Sequence, residues 1–116
     1  MKKPETTERL LYLIGFVRGA LDHVEDECGP QPKFSEATFG ERDGWWRKRE
    51  AAFGVARKRL EEQGATFSHS GAHDHFIRLA GIRSSSTNGW GGAFNNWIRA
   101  AEKRVAEQAG KKHDLA

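Results

Sequence analysis

The sequence predicts an all-α fold, a single domain spanning 1–116 with about four helices and a helix-turn-helix-like C-terminal pair. First, Leu10, Leu13, Ile14, Val17, Ala20, Leu21 and Val24 recur at the i, i+3, i+4, i+7 spacing of an amphipathic helix. Second, Trp90, Phe94, Trp97, Ile98, Ala101 and Val105 do the same within 86–109. Third, proline is confined to Pro4, Pro30 and Pro32, and glycines fall between the periodic stretches, so the breaks are marked. The expected core gathers Trp90, Phe94, Trp97, Leu13, Val17, Leu21, Phe53 and Phe76. An α+β arrangement, with a short strand from 65–67 or 33–38, is the alternative.

Taken in order, the first helix starts after Thr6 or Thr7, either of which can cap it. It ends near Cys28, where Gly29 can turn left-handed and Pro30 cannot continue it. An irregular crossing over 31–42 follows, with room for a short helical turn after Ser35. The second helix, capped by Asp43 and closed by Gly64, puts Trp45, Ala52, Phe53, Ala56 and Leu60 on one arc. Arg49 falls inside that arc, which demands a buried carboxylate partner or a later helix start. Residues 65–72 are polar. A third helix over 73–80 carries Phe76, Ile77 and Leu79 and stops at Gly81, and Ile82 anchors the turn. The fourth starts among Ser84, Ser85, Ser86, Thr87 and Asn88, all competent N-caps. Gly89, Gly91 and Gly92 each weaken its first turn by about 1 kcal/mol relative to alanine. Close packing against that backbone, or a helix that begins only at Ala93, would account for them. The tail 110–116 is expected to fray.

Composition narrows the class. Four tryptophans and seven phenylalanines supply a core in a chain that is otherwise charge-rich. The lone Cys28 excludes an internal disulfide framework and suits a reducing compartment. The N-terminal apolar stretch 10–17 is far short of the ~20 residues that span a bilayer, so the expectation is a cytoplasmic protein with no membrane partner. Net charge is +3, unevenly spread: residues 1–35 carry five Lys/Arg against six Asp/Glu, and residues 36–116 fourteen against ten.

Three groups of residues could carry function. In a helix-turn-helix, the second helix lays its N-terminal residues along base edges. Arg83, Ser84, Ser85, Ser86, Thr87 and Asn88, then Asn95, Asn96 and Arg99, have the side chains for that. Asn pairs bidentately with adenine and Arg with guanine, while hydroxyls reach phosphate or base. A plain helical hairpin would look the same, and the 81–87 turn exceeds the about three or four residues usual in the motif. Next, Arg47, Lys48, Lys58 and Arg59 share the outer face of the second helix, as phosphate contacts require. Glu50, Glu61 and Glu62 interrupt it, as on an ordinary solvated helix. Last, His69, His73 and His75 beside Asp74 are weak metal-ligand candidates, and would make a metal-dependent hydrolase the remote alternative. A polar loop explains them as well.

No P-loop, GxSxG, HExxH or CxxC stands in the chain, so neither an enzyme nor a cofactor is expected. The expectation is a small nucleic-acid-binding protein of regulatory or accessory type. The alternative is a protein-interaction module or inhibitor docking on a larger complex, a kind common among phage and plasmid products. Its surface would be 89–92, or whichever of Trp45 and Trp46 cannot face the core. The broad stripe of the first helix also leaves a homodimer open.

Overall fold

A computed structural model describes residues 6–33, 35–70 and 74–115. Helix α1 (Thr7–Cys28) is capped by Thr6, whose hydroxyl accepts from Arg9 N, and ends at Gly29 with φ 66°. Its predicted stripe is buried, apart from a half-buried Leu21. Helix α2 (Phe39–Glu62) begins earlier than Asp43. Thr38 caps it by accepting from Glu41 N at 3.1 Å, and Thr38-Phe39-Gly40-Glu41 has the form of a capping box. Its buried residues are the predicted Trp45, Ala52, Phe53, Ala56 and Leu60.

The next segment overturns the all-α prediction. Residues assigned to a polar loop, a third helix and a turn form a three-stranded antiparallel sheet, so the fold is α+β, with three helices among the described residues. Strand β1 (Thr66–Ser70) pairs with β2 (Asp74–Leu79), and β2 with β3 (Ile82–Ser86). The helix-turn-helix-like pair therefore does not exist. The reason is a period: His75, Ile77 and Leu79 face inward and Phe76 and Arg78 outward, alternation that a strand satisfies and a helix cannot. Of the alternative strands weighed, only 65–67 overlaps one, and the described part of 33–38 is turn and coil. Gly81 is not a helix stop. It follows Ala80 in the two-residue turn between paired Leu79 and Ile82, with φ 75° and 54°. Positive φ at both centres is what a type I′ hairpin needs, and Asn-Gly is its usual sequence. Ala80 is the one described non-glycine residue with positive φ. Replacing it with Asn is expected to add roughly 0.5–1 kcal/mol of stability; a drop in melting temperature would contradict this assignment.

Helix α3 (Gly89–Leu115) continues beyond the expected end, through most of the tail assigned to fraying. It packs against α1 on one side and against β2 and β3 on the other. Phe94, Trp97 and Ala101 are fully buried in that position, while Trp90 and Val105 lie at the core's edge. The Trp97 indole donates to Leu79 O at 3.1 Å, tying the helix to the hairpin turn. Among the described residues, no helix is long and apolar enough to cross a membrane.

Candidate functional site

The sheet has two unlike faces. Phe67, Ile77, Leu79 and Ile82 pack toward α3, whereas Thr66, Ser68, Ser70, Arg78, Arg83 and Ser85 are exposed on the other side. Phe76 sits half-buried on the central strand of that outer face, not in the core where it was expected. Register places Phe76 between Ser68 and Ser85, and Arg78 between Thr66 and Arg83. The Arg83 guanidinium carbon lies over the Phe76 ring, 4.7 Å from its centroid. A shallow depression of about 260 Å³ runs among Thr66, Ser68, Phe76, Arg78 and Arg83, with every wall supplied by strands. One solvated face is ordinary for an antiparallel sheet. An aromatic ring at its centre, flanked by two arginines, is not.

A second concavity, of about 520 Å³, lies between α2 and the first turn of α3. Trp45, Trp46, Arg49, Glu50, Phe53 and Trp90 are among its walls. Trp45 is buried and Trp46 is 55% exposed, since neighbours on a helix cannot share a face. Arg49, the charge that fell on the apolar arc, is resolved by a carboxylate partner, an exposed one and not the buried one expected. Its Nη1 donates to Glu25 Oε1 at 2.8 Å, and its guanidinium lies over the Trp45 and Phe53 rings. Burial alone would pull the Arg49 pKa down, but the hydrogen bonds to Glu25 and Cys28 outweigh it and hold the pKa above its ordinary value. Arg57 lies over Trp90, and its buried Nε has no hydrogen-bond partner among the described residues.

The glycines of the first α3 turn now have a cause. Gly89 takes φ 78°. A Cβ on Gly91 would lie 3.2 Å from Arg49 Nη2, and one on Gly92 would run into the Ser86 hydroxyl. From Trp90 onward the helix is packed closely against its neighbours.

Sequence-assigned residues divide accordingly. Arg83 and Ser85 join Phe76 on the outer face, while Ser84 and Ser86 alternate inward. Ser86 Oγ accepts from Asn88 N at 2.9 Å. Thr87 and Asn88 form an exposed bend before α3. Asn96 donates to Ser85 O at 2.8 Å and Asn95 to Gly91 O at 3.0 Å, so both amides brace backbone. Arg99 is exposed, lining a groove with Asn95 and Glu102. Arg47 pairs with Asp43 at 3.0 Å, while Lys48, Lys58 and Arg59 stand exposed on α2. None of these four lines the depression on the outer sheet face. Phe76 and Arg78 were missed as functional candidates, and the period-two alternation from Asp74 onward was the signal that could have found them.

His69 and His75 face each other across β1 and β2 with ring centroids 6.3 Å apart, and His75 meets Trp90 edge-on at 4.7 Å. His73 lies outside the described residues. Among those described, no group of three metal-ligating side chains comes together.

Comparison with family models, characterised proteins and solved structures gives no match. Function is therefore read from these surfaces alone.

Proposed function

We propose that the chain is a small nucleic-acid-binding protein that takes a single strand on the outer face of its sheet. The observation carrying this reading is Phe76, half-buried at the centre of the outer sheet face, with the Arg83 guanidinium 4.7 Å over its ring and Arg78 at the next outward position of the same strand. Unpaired bases stack on aromatic rings and on guanidinium planes, and both surfaces are present. Hydroxyls of Thr66, Ser68 and Ser85 add donors and acceptors for sugar and base edges. Arg78 and Arg83 supply the cations for phosphate. A three-stranded sheet is only about 10 Å wide between its outer strands, which suits about two stacked bases and a modest affinity.

Fluorescence anisotropy with a labelled oligonucleotide tests this. Single strands should bind more tightly than duplex. With two phosphates neutralised, the logarithm of the binding constant should fall against log salt with a slope of about −1.4. Phe76→Ala should weaken binding about tenfold, within the range of a lost stacking contact. Neutralising Lys48, Lys58 and Arg59 should change affinity less than removing Arg78 and Arg83. Absence of binding at low salt, or a Phe76→Ala variant that binds as the wild type does, would refute the reading.

Exposure of Phe39 and Trp46 beside the α2–α3 cleft favours a second reading, a module that docks on a protein partner.

A further inference from the structure

The α2–α3 cleft holds two carboxylates of different standing. Glu25 is engaged by Arg49 at 2.8 Å, and the Arg49 guanidinium rests against Trp45 and Phe53. One complete guanidinium receptor, a carboxylate with aromatic faces beneath it, is thus already present and filled from within. Glu50, the next residue on α2, is exposed and makes no ion pair among the described residues. It shares the cleft with Trp46 and Trp90. Trp46 stands edge-on to Trp45 at 4.8 Å, which braces its exposed ring.

Glu50 thus stands beside aromatic rings without its cation. With Glu25 neutralised by Arg49, Glu50 leaves the cleft wall one carboxylate in excess, which disfavours phosphate and separates this cleft from the outer sheet face. Arginine suits it better than lysine, because a planar guanidinium stacks on rings while its edge meets a carboxylate. The cavity continues past Trp46 into a second one of about 350 Å³ bordered by Pro32 and by Phe39, which is 77% exposed. That apolar ledge would stay bare beneath a free amino acid, but it fits the residues flanking an arginine in a peptide. Trp90 already carries the Arg57 guanidinium 4.8 Å over its ring, whereas Trp46 is exposed one helical turn before Glu50. We infer that this cleft is a docking site for a partner protein that lays an arginine side chain against Trp46 and pairs it with Glu50.

Indole N–H signals in an NMR titration test this directly. Trp97, fully buried with its indole donating to Leu79 O, serves as the internal reference. The probe is an acetylated Leu-Arg-Leu amide peptide, run beside its lysine and its uncharged citrulline counterparts. The arginine peptide should move the Trp46 indole signal saturably. The citrulline peptide should bind about tenfold more weakly, as should the arginine peptide on Glu50→Gln, from loss of a charge-assisted contact. Trp46→Ala should likewise weaken it; Glu50 and Trp46 are both exposed, so these variants keep the core. Phe76→Ala should leave peptide binding unchanged, which separates this site from the nucleic-acid reading. Absence of saturable shifts, equal binding of the lysine or citrulline peptide, or wild-type affinity in Glu50→Gln would overturn the inference.

Discussion

Trp97→Ala is expected to cost about 3–5 kcal/mol, the range for removing a large buried aromatic. Trp97 has no exposed surface and sits on the side of α3 that meets the sheet. Its indole also satisfies Leu79 O at the hairpin turn, so truncation leaves both a cavity and an unpaired carbonyl. Trp97→Phe separates the two terms by restoring much of the volume without the donor, and should cost less than alanine. Against a total stability of about 5–15 kcal/mol, the alanine variant would have little margin. Urea denaturation followed by circular dichroism measures both. A Trp97→Ala cost below about 1 kcal/mol, in the range of ordinary surface substitutions, would contradict the packing described.

Gly92→Ala should also destabilise, by about 1–3 kcal/mol, the usual penalty of overpacking. The sign is the informative part, because alanine in a helix interior normally gains about 1 kcal/mol over glycine. Here the new methyl group would strike the Ser86 hydroxyl, lie 2.9 Å from Ser86 Cβ and 3.2 Å from Asn88 Cβ. Ser86 has little room to retreat. Its Oγ accepts from Asn88 N, and its backbone lies in register with His75. At Gly91 the nearest atoms are Arg49 Nη2 at 3.2 Å and Phe53 Cζ at 3.4 Å, both farther than Ser86 is from Gly92, so alanine should be tolerated better there. Adding Ser86→Gly to Gly92→Ala should recover part of the loss. If Gly92→Ala raises the melting temperature, the close approach of β3 to α3 is wrong.

The helices were legible in the sequence because each had an apolar stripe of period 3.6, interrupted in α2 by Arg49. All of the expected buried residues of α2 are buried, even though its start was misplaced. Thr38 stood in a capping pattern with Glu41, but a later Asp43 offered an equally good cap. The sheet was hidden for a different reason. Its strands have five or six residues, and Phe76, Ile77 and Leu79 fit a short helical arc almost as well as an alternating strand. Ala80-Gly81 lacks the asparagine or aspartate that advertises a type I′ turn, so Gly81 looked like a helix terminus. Misreading that one turn displaced Phe76 from surface to core and concealed the outer face. Around Trp90, by contrast, the glycine-rich turn pointed correctly to a crowded place in the fold. Which residues faced it across the cleft depended on α2 packing that no local pattern encodes.

The outer sheet face is the central claim, and amide NMR mapping with a short single-stranded oligonucleotide tests it most directly. The expected result is a set of saturable shifts at Thr66, Ser68, Phe76, Arg78, Arg83 and Ser85, weakened by salt and lost in Phe76→Ala. Shifts confined to the α2 face around Lys48, Lys58 and Arg59, or no shifts at low salt, would contradict it.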